Sequence, residues 1–280
     1  LRGLGPDASL TLFNGHRVAF DAAGQGIDIS AIPLAAIERL DVVADGASAL
    51  YGSDAVAGVA NVILRRKVDG VVTSARLGAA TDGGAFTQQY SIVTGPSWGS
   101  GGFMVAADYQ HATGITARQR SYTSNLPADA TLIPAQRQVS MVLAGRQKIS
   151  DSATFEIDGH YMHRSTSRCM AYVVSASCYG QGSVVSSTVD SWSVSPSLRI
   201  ELTSDWIGKL IGTYSKSDTS VATRFFVGGT QTALARPNYV NELKSIEFGA
   251  EGPLFALPGG DARLALGGGY RTNRLRTDSR

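Results

Sequence analysis

Charge is scarce in this sequence and cysteine is nearly absent. Charged residues make up 17% of it, and the formal net charge is only +2. A nucleic-acid-binding protein needs a concentrated basic face, and the longest basic cluster, Arg65-Arg66-Lys67, is too short to supply one. No nucleic-acid partner is expected. No run approaches the roughly 18 apolar residues of a transmembrane helix. That excludes one way of crossing a membrane, since strands alternating lipid-facing and lumen-facing residues cross with no hydropathy peak. No H-E-x-x-H or paired C-x-x-C motif occurs, and no catalytic constellation emerges, so neither an enzyme nor a bound metal or cofactor is expected. The chain opens on Leu1-Arg2-Gly3-Leu4-Gly5, without an initiator Met or a charged and then apolar leader. It reads as a piece of something longer.

What is abundant is glycine, at 32 residues, beside a 43% hydrophobic fraction. Low charge with many glycines points to β structure with tight turns. The two cysteines, Cys169 and Cys178, lie in a stretch rich in Ser, Tyr and Gly. Such a pair reads most simply as one disulfide in an oxidising compartment, two unpaired thiols being the other reading.

Along the first seventy residues the elements are short. Asn14-Gly15 separates two apolar runs in residues 10–20 and predicts a hairpin with a type I′ turn. Pro33 suits the first position of a helical turn. Leu40–Val43 and Gly58–Leu64 read as strands, with Asp45-Gly46 a turn and Ala47–Leu50 a further helical turn. Gly3-x-Gly5-x-x-Ala8 formally fits a dinucleotide-binding pattern. That pattern must follow a strand and open a helix, and Pro6 interrupts it here.

From Val71 onward the period is two. In Trp192–Leu202, the even positions are Trp, Val, Pro, Leu, Ile and Leu, and the odd ones Ser, Ser, Ser, Arg and Glu. Phe155, Ile157 and Tyr161 oppose Glu156, Asp158 and His160 in the same way. Trp206, Leu210 and Tyr214 oppose Lys209 and Thr213. Strands are expected near 70–79, 85–95, 101–112, 137–148, 153–166, 187–203, 206–218, 240–252 and 261–273. Short connections after strands two, four and six alternate with ones near twenty residues after three, five and seven, as in an outer-membrane barrel. The connection around Pro258-Gly259-Gly260 should be somewhat longer than the other short ones. A soluble sandwich would scatter its long loops. On strands, His160 and His163 point to opposite faces, which argues against joint metal ligation.

The run IPLAAIERLDVVADGASALYGSDAVAGVANVIL, residues 32–64, resembles the plug signature of TonB-dependent receptors. The resemblance rests on Glu38, Arg39, Gly46, Ser48, Tyr51, Gly52, Gly58 and Asn61, and the opening LRGLG and NGHRV fit the preceding plug motifs. Asp41 and Ala60 depart mildly from the pattern, which has Glu and Ile there. The resemblance implies a small α+β plug over 1–68, then antiparallel transmembrane β-barrel strands over 69–280, about nine of a barrel of roughly 22. It implies active import of a scarce nutrient (a siderophore-bound iron, cobalamin or a glycan) across the bacterial outer membrane. The driver would be a TonB energy-transducing complex acting on a TonB box that this sequence does not contain, and the barrel would sit in outer-membrane lipid. Arg2 and Arg39 match plug positions that in relatives meet barrel glutamates, a plug–barrel lock whose carboxylates would lie beyond Arg280. The bland alternative pairs them with Glu38 or Asp41. A passive porin or adhesin would share the barrel half without reason for the plug signature. An outer-membrane enzyme would need a converging nucleophile and base.

Overall fold

The computed structural model describes residues 8–21, 26–44 and 51–279. Its first part is a three-stranded sheet, β1 (Ser9–Phe13), β2 (Ile37–Val43) and β3 (Gly58–Leu64), in the order β1-β3-β2. β1 runs parallel to β3 and β2 antiparallel to it. Single 3-10 turns at Leu34–Ala36 and Ser53–Ala55 precede β2 and β3, the first on Pro33 as its N-cap. Asn14 and Gly15 both take positive φ, 49° and 81°, as a type I′ turn requires. The hairpin expected there does not continue, however. Beyond one bridge between Phe13 and His16 the chain leaves β1, because barrel residues capture His16 and the Ala19 N–H.

The second part is an 11-stranded antiparallel sheet. Its main strands are β4 (Val71–Gly78), β5 (Thr87–Thr94), β7 (Gly101–Ala112), β10 (Ala135–Lys148), β11 (Ala153–Ala171), β12 (Gln181–Glu201), β13 (Ile207–Val227), β15 (Pro237–Leu257) and β16 (Gly260–Ser279). Each follows its predecessor as a neighbour. Short β6 (Ser97–Trp98) and β14 (Thr230–Ala235) flank the path, and β8 (Ile115–Thr116) pairs β9 (Thr131–Ile133) within a connection. Connections at one end are tight, as at 149–152 and 258–259. At the other end 113–134 is long, but 172–180 and 228–236 are shorter than the twenty residues expected. The difference has one cause: β11, β12, β13 and β15 run 19 to 21 residues, well past the roughly 9–11 needed to span a bilayer. Pro258-Gly259 is likewise tighter than expected, because β15 and β16 pair down to Leu257 and Gly260.

The two faces of this sheet differ. One touches the three-stranded unit across its width, from Val93 on β5 through Met104, Ala106, Val142 and Ala144 to Arg271 on β16, so the sheet wraps around it. The other face is apolar up to a boundary that the pairing register traces. The last apolar or aromatic outward residues are Tyr90, Tyr109, Val139, Tyr161, Trp192, Tyr214, Ile246 and Tyr270, and the next outward ones are Gln88, His111, Arg137, His163, Asp190, Lys216, Lys244 and Thr272. Tyr90 pairs Tyr109, Tyr109 pairs Val139, Tyr161 pairs Trp192 and Ile246 pairs Tyr270. At the other three junctions the boundary slips by two residues: Val139 faces His163, Trp192 faces Lys216 and Tyr214 faces Lys244. Those slips amount to about 20 Å of strand over about 34 Å of sheet width, a slant of about 30°. A flat membrane surface crossing strands tilted by roughly 35–45° leaves such a line. Trp98 and Phe103, and Trp206 with its Nε1 donating to the Pro253 carbonyl at 3.1 Å, mark the opposite end of the apolar band.

Candidate functional site

Among the described residues, the interface between the small unit and the sheet gathers buried charged and hydrogen-bonding side chains from both parts. On β11 the inward positions are Glu156, Asp158, His160, Met162 and Arg164, the parity set by the pleat. Asp158 meets three residues from two segments of the small unit. Asn14 Nδ2 donates at 2.7 Å, His16 Nε2 lies 3.1 Å away, and Arg66 Nη2 donates at 3.1 Å. Arg66 also reaches Glu156 at 3.7 Å. His16 and Asp158 are buried, where a charge persists only if paired and hydrogen-bonded. Next to them Phe13 packs edge-on against the His160 ring at 5.2 Å, and the His160 Nδ1 lies 2.6 Å from Ser193 Oγ.

A second clamp lies further along β11. Arg164 pairs with Asp28 and donates to Ser30 Oγ at 2.8 Å, while its Nε donates to Gln138 Oε1 at 2.9 Å. Gln138 in turn donates to the Ser30 carbonyl. Burial pushes the Asp28 carboxyl up, but Arg164 and Ser30 outweigh it and hold its pKa below the usual 3.8. Asp21 differs. Burial dominates and raises its pKa, the hydrogen bond from Ser217 Oγ at 2.7 Å offsetting only part. A third contact joins Asp54 to Arg17 at 2.6 Å and to Arg271 of β16 at 3.6 Å. Arg17 also donates to the Tyr51 carbonyl. Burial and the Arg271 charge lower the Arg17 pKa, with Asp54 opposing. Beneath these polar clamps Phe13, Val18, Ile32, Ala36, Val62 and Leu64 form one apolar cluster with the inner wall of β5, β7 and β10. Burial of each large side chain there contributes about 1.5–3 kcal/mol.

The residues singled out from sequence fall elsewhere. Arg2, Gly46 and Ser48, with the turn at Asp45-Gly46 and the helical turn at Ala47–Leu50, lie outside the described residues, so the Arg2–Arg39 pairing has no geometry here. Arg39 is exposed and pairs with Glu38 at 3.3 Å and Asp41 at 3.1 Å. Gly52 and Gly58 take φ of 81° and 127°, which glycine alone adopts without strain. Asn61 Oδ1 accepts from the Gly15 N–H at 2.9 Å, locking the Asn14 turn onto β3. Cys169 and Cys178 are disulfide-bonded. Their backbone N–H groups donate to Thr131 Oγ1 and Asp129 Oδ2, tying the 172–180 connection to the 113–134 one. Asp129 sits near both sulfurs, but a disulfide offers no thiolate ligand. Gly95-Pro96-Ser97-Trp98-Gly99 has the G-x-S-x-G spacing of a nucleophile elbow. A nucleophile elbow joins a strand to a helix, whereas this segment joins β5 to β7, so it is not such an elbow. Asp158, His16, Arg66, Arg164 and Asp28 were missed as site residues. The available signal was inward parity of a carboxylate and an arginine on one strand, read only as a solvated lumen face.

Comparison with known proteins agrees with this geometry. A family model described as the TonB-dependent receptor plug domain matches residues 1–59. The chain is 34% identical over 122 residues to the vitamin B12 transporter BtuB of Photobacterium profundum, covering 44% of this chain and 20% of that protein. Its fold is similar to the structure of FpvA of P. aeruginosa bound to heterologous pyoverdines, with TM-score 0.71, 12% identity, and cover of 99% of this chain and 37% of that one. The siderophore receptor PirA from Acinetobacter baumannii gives TM-score 0.66 at 17% identity, over 98% and 41%. The chain thus spans 20% of the vitamin B12 transporter's length and 37% and 41% of the two receptor structures.

Proposed function

We propose that this chain, the plug and early barrel strands of a TonB-dependent receptor, serves plug-gated, energy-driven import of a scarce nutrient across a bacterial outer membrane. The observation that carries the reading is the seating of the plug. A small α+β unit is clamped by Asp158, Arg164 and Arg271 onto one face of a sheet whose other face carries an apolar band. A wide barrel would leak without such a unit inside it. A passive porin has no use for three separate ion-pair clamps on its lumen filling.

In this reading the TonB complex supplies the pull, outer-membrane lipid surrounds the apolar band, and residues 1–68 form the plug while 69–280 belong to the barrel. Arg2 and Arg39 are proposed to add a further lock to barrel strands outside this sequence. The solute is small or oligosaccharidic. Siderophore receptors and a vitamin B12 transporter among the similar proteins make ferric siderophores and cobalamin the first solutes to test. The test is uptake of labelled ferric siderophore, cobalamin and oligosaccharide by cells carrying the full-length protein. Accumulation of one solute that stops when the TonB complex is removed supports the proposal. Uptake that persists without the complex indicates a passive pore.

A further inference from the structure

The inner wall of the barrel is not uniform. On β5, β7 and β10 it meets the plug chiefly with hydrocarbon, with Gln138 of β10 adding a hydrogen bond to the Ser30 carbonyl, and on β11 with charge. On β12 and β13 it meets it with hydroxyls alone: every inward position from Ser191 to Ser197 is Ser, and every one from Thr213 to Thr219 is Ser or Thr. The two runs overlap in register, Ser193 beside Ser215 and Ser191 beside Ser217, with Ile211 beside Ser197 and Val189 beside Thr219 at the ends, and all eight residues are buried. Among the described residues, two direct hydrogen bonds tie the plug to this patch, from the Ala19 N–H to Ser215 Oγ at 2.9 Å and from Ser217 Oγ to Asp21 at 2.7 Å. Other hydroxyls bond within the wall, as Ser195 does with Thr213 at 3.1 Å, and Ser197 Oγ and Thr219 Oγ1 are buried with no protein partner.

These contacts do not resist separation equally. A neutral hydroxyl exchanges a protein hydrogen bond for one to water at little net cost. Parting Asp158 from Arg66 and His16, or Asp28 from Arg164, uncovers buried charge, and parting the apolar cluster exposes hydrocarbon to water. Asp21 adds to the contrast, since its carboxylate is disfavoured where it sits and gains solvation on release. We infer that the plug parts from the barrel along β12 and β13, and that the solute passes over the Ser/Thr patch while β11 holds the rest of the plug in place. The exposed lining would be small, uncharged and able to donate and accept hydrogen bonds. It fits a bulky solute that moves hydrated and bonds through its oxygen and nitrogen atoms, with no ion pair to the wall along that stretch.

The inference rests on the import reading and is tested in the full-length protein during energised uptake. Ser195→Cys and Ala106→Cys place one thiol each on the hydroxyl wall and the apolar wall. Both positions are buried, Cys169 and Cys178 are paired, and any other cysteine of the full-length protein is replaced beforehand. A membrane-impermeant thiol reagent is added outside, with and without the TonB complex. Ser195→Cys should lose its protection only when uptake is energised, and Ala106→Cys should stay protected throughout. Thr213→Cys, directly across from Ser195, should repeat the Ser195 result. Labelling of Ala106→Cys as fast as Ser195→Cys, or continued protection of both hydroxyl-wall thiols during active uptake, overturns the inference and leaves import standing. Absence of energised uptake in the unsubstituted protein removes the import reading and this inference with it.

Discussion

Asp158 gathers a turn residue, a histidine and the arginine that follows β3 onto one carboxylate. Its removal by Asp158→Ala takes the acceptor from buried His16 and leaves half-buried Arg66 with Glu156 as its remaining carboxylate. A buried polar group left without its partner costs about 1–3 kcal/mol, so the plug of this variant should become more protease-sensitive and cells should admit large antibiotics that the parent excludes. Intact exclusion and unchanged protease resistance would show that the apolar cluster alone seats the plug. The two plug carboxylates with shifted pKa should act in opposite senses. Asp28 titrates below 3.8 when docked, so its contribution is present above that value and lost as pH falls through its lower docked pKa. Asp21 titrates above 3.8, so docking is favoured below that value and loses that contribution as pH rises through the docked pKa of Asp21. Asp21→Asn should therefore be neutral to stabilising at pH 7, and Asp28→Asn destabilising, by denaturation of the detergent-solubilised protein. A destabilised Asp21→Asn with an unaffected Asp28→Asn would reverse the assignment.

Among the elements, β12 to β15 carry the clearest division of faces. Phe248 and Leu210 are exposed on the outer face and paired across β13 and β15. If that face meets lipid, Phe248→Arg should cost about 2–4 kcal/mol near the bilayer midplane, measured by refolding into bilayers. A cost near zero would place Phe248 in water. The same division explains what the sequence disclosed. Trp192 to Leu202 showed its alternation plainly because hydroxyls line the inner side there. On β7 the inner Met104 and Ala106 face the plug while the outer Phe103 and Val105 face outward, so both sides are apolar and the period fades. The strand edges near 101–112 and 153 were legible from turn residues. The far ends of β11 to β15 were not, since beyond the apolar band nothing in the pattern separates a strand from a polar loop. The second half of the Asn14-Gly15 hairpin failed for a related reason. Its partners are Asp158 and Ser215, 142 and 196 residues away, beyond any local signal.

At the scale of the whole molecule, β4 and β16 end the sheet with one unpaired edge each among the described residues, a condition that invites association with other strands. Remaining barrel strands would complete both the wall and the enclosure of the exposed β2, whose Leu40, Val42 and Val43 lie open here. The central claim is that the plug closes a barrel that would otherwise conduct. Conductance of the full-length protein in a planar bilayer tests it most directly, compared with the same protein lacking the plug through residue 68. The account expects the intact protein to be closed and the plug-less barrel to pass a large, steady, weakly selective current. An intact protein that conducts as well as the plug-less one, or a plug-less barrel that stays closed, would contradict it.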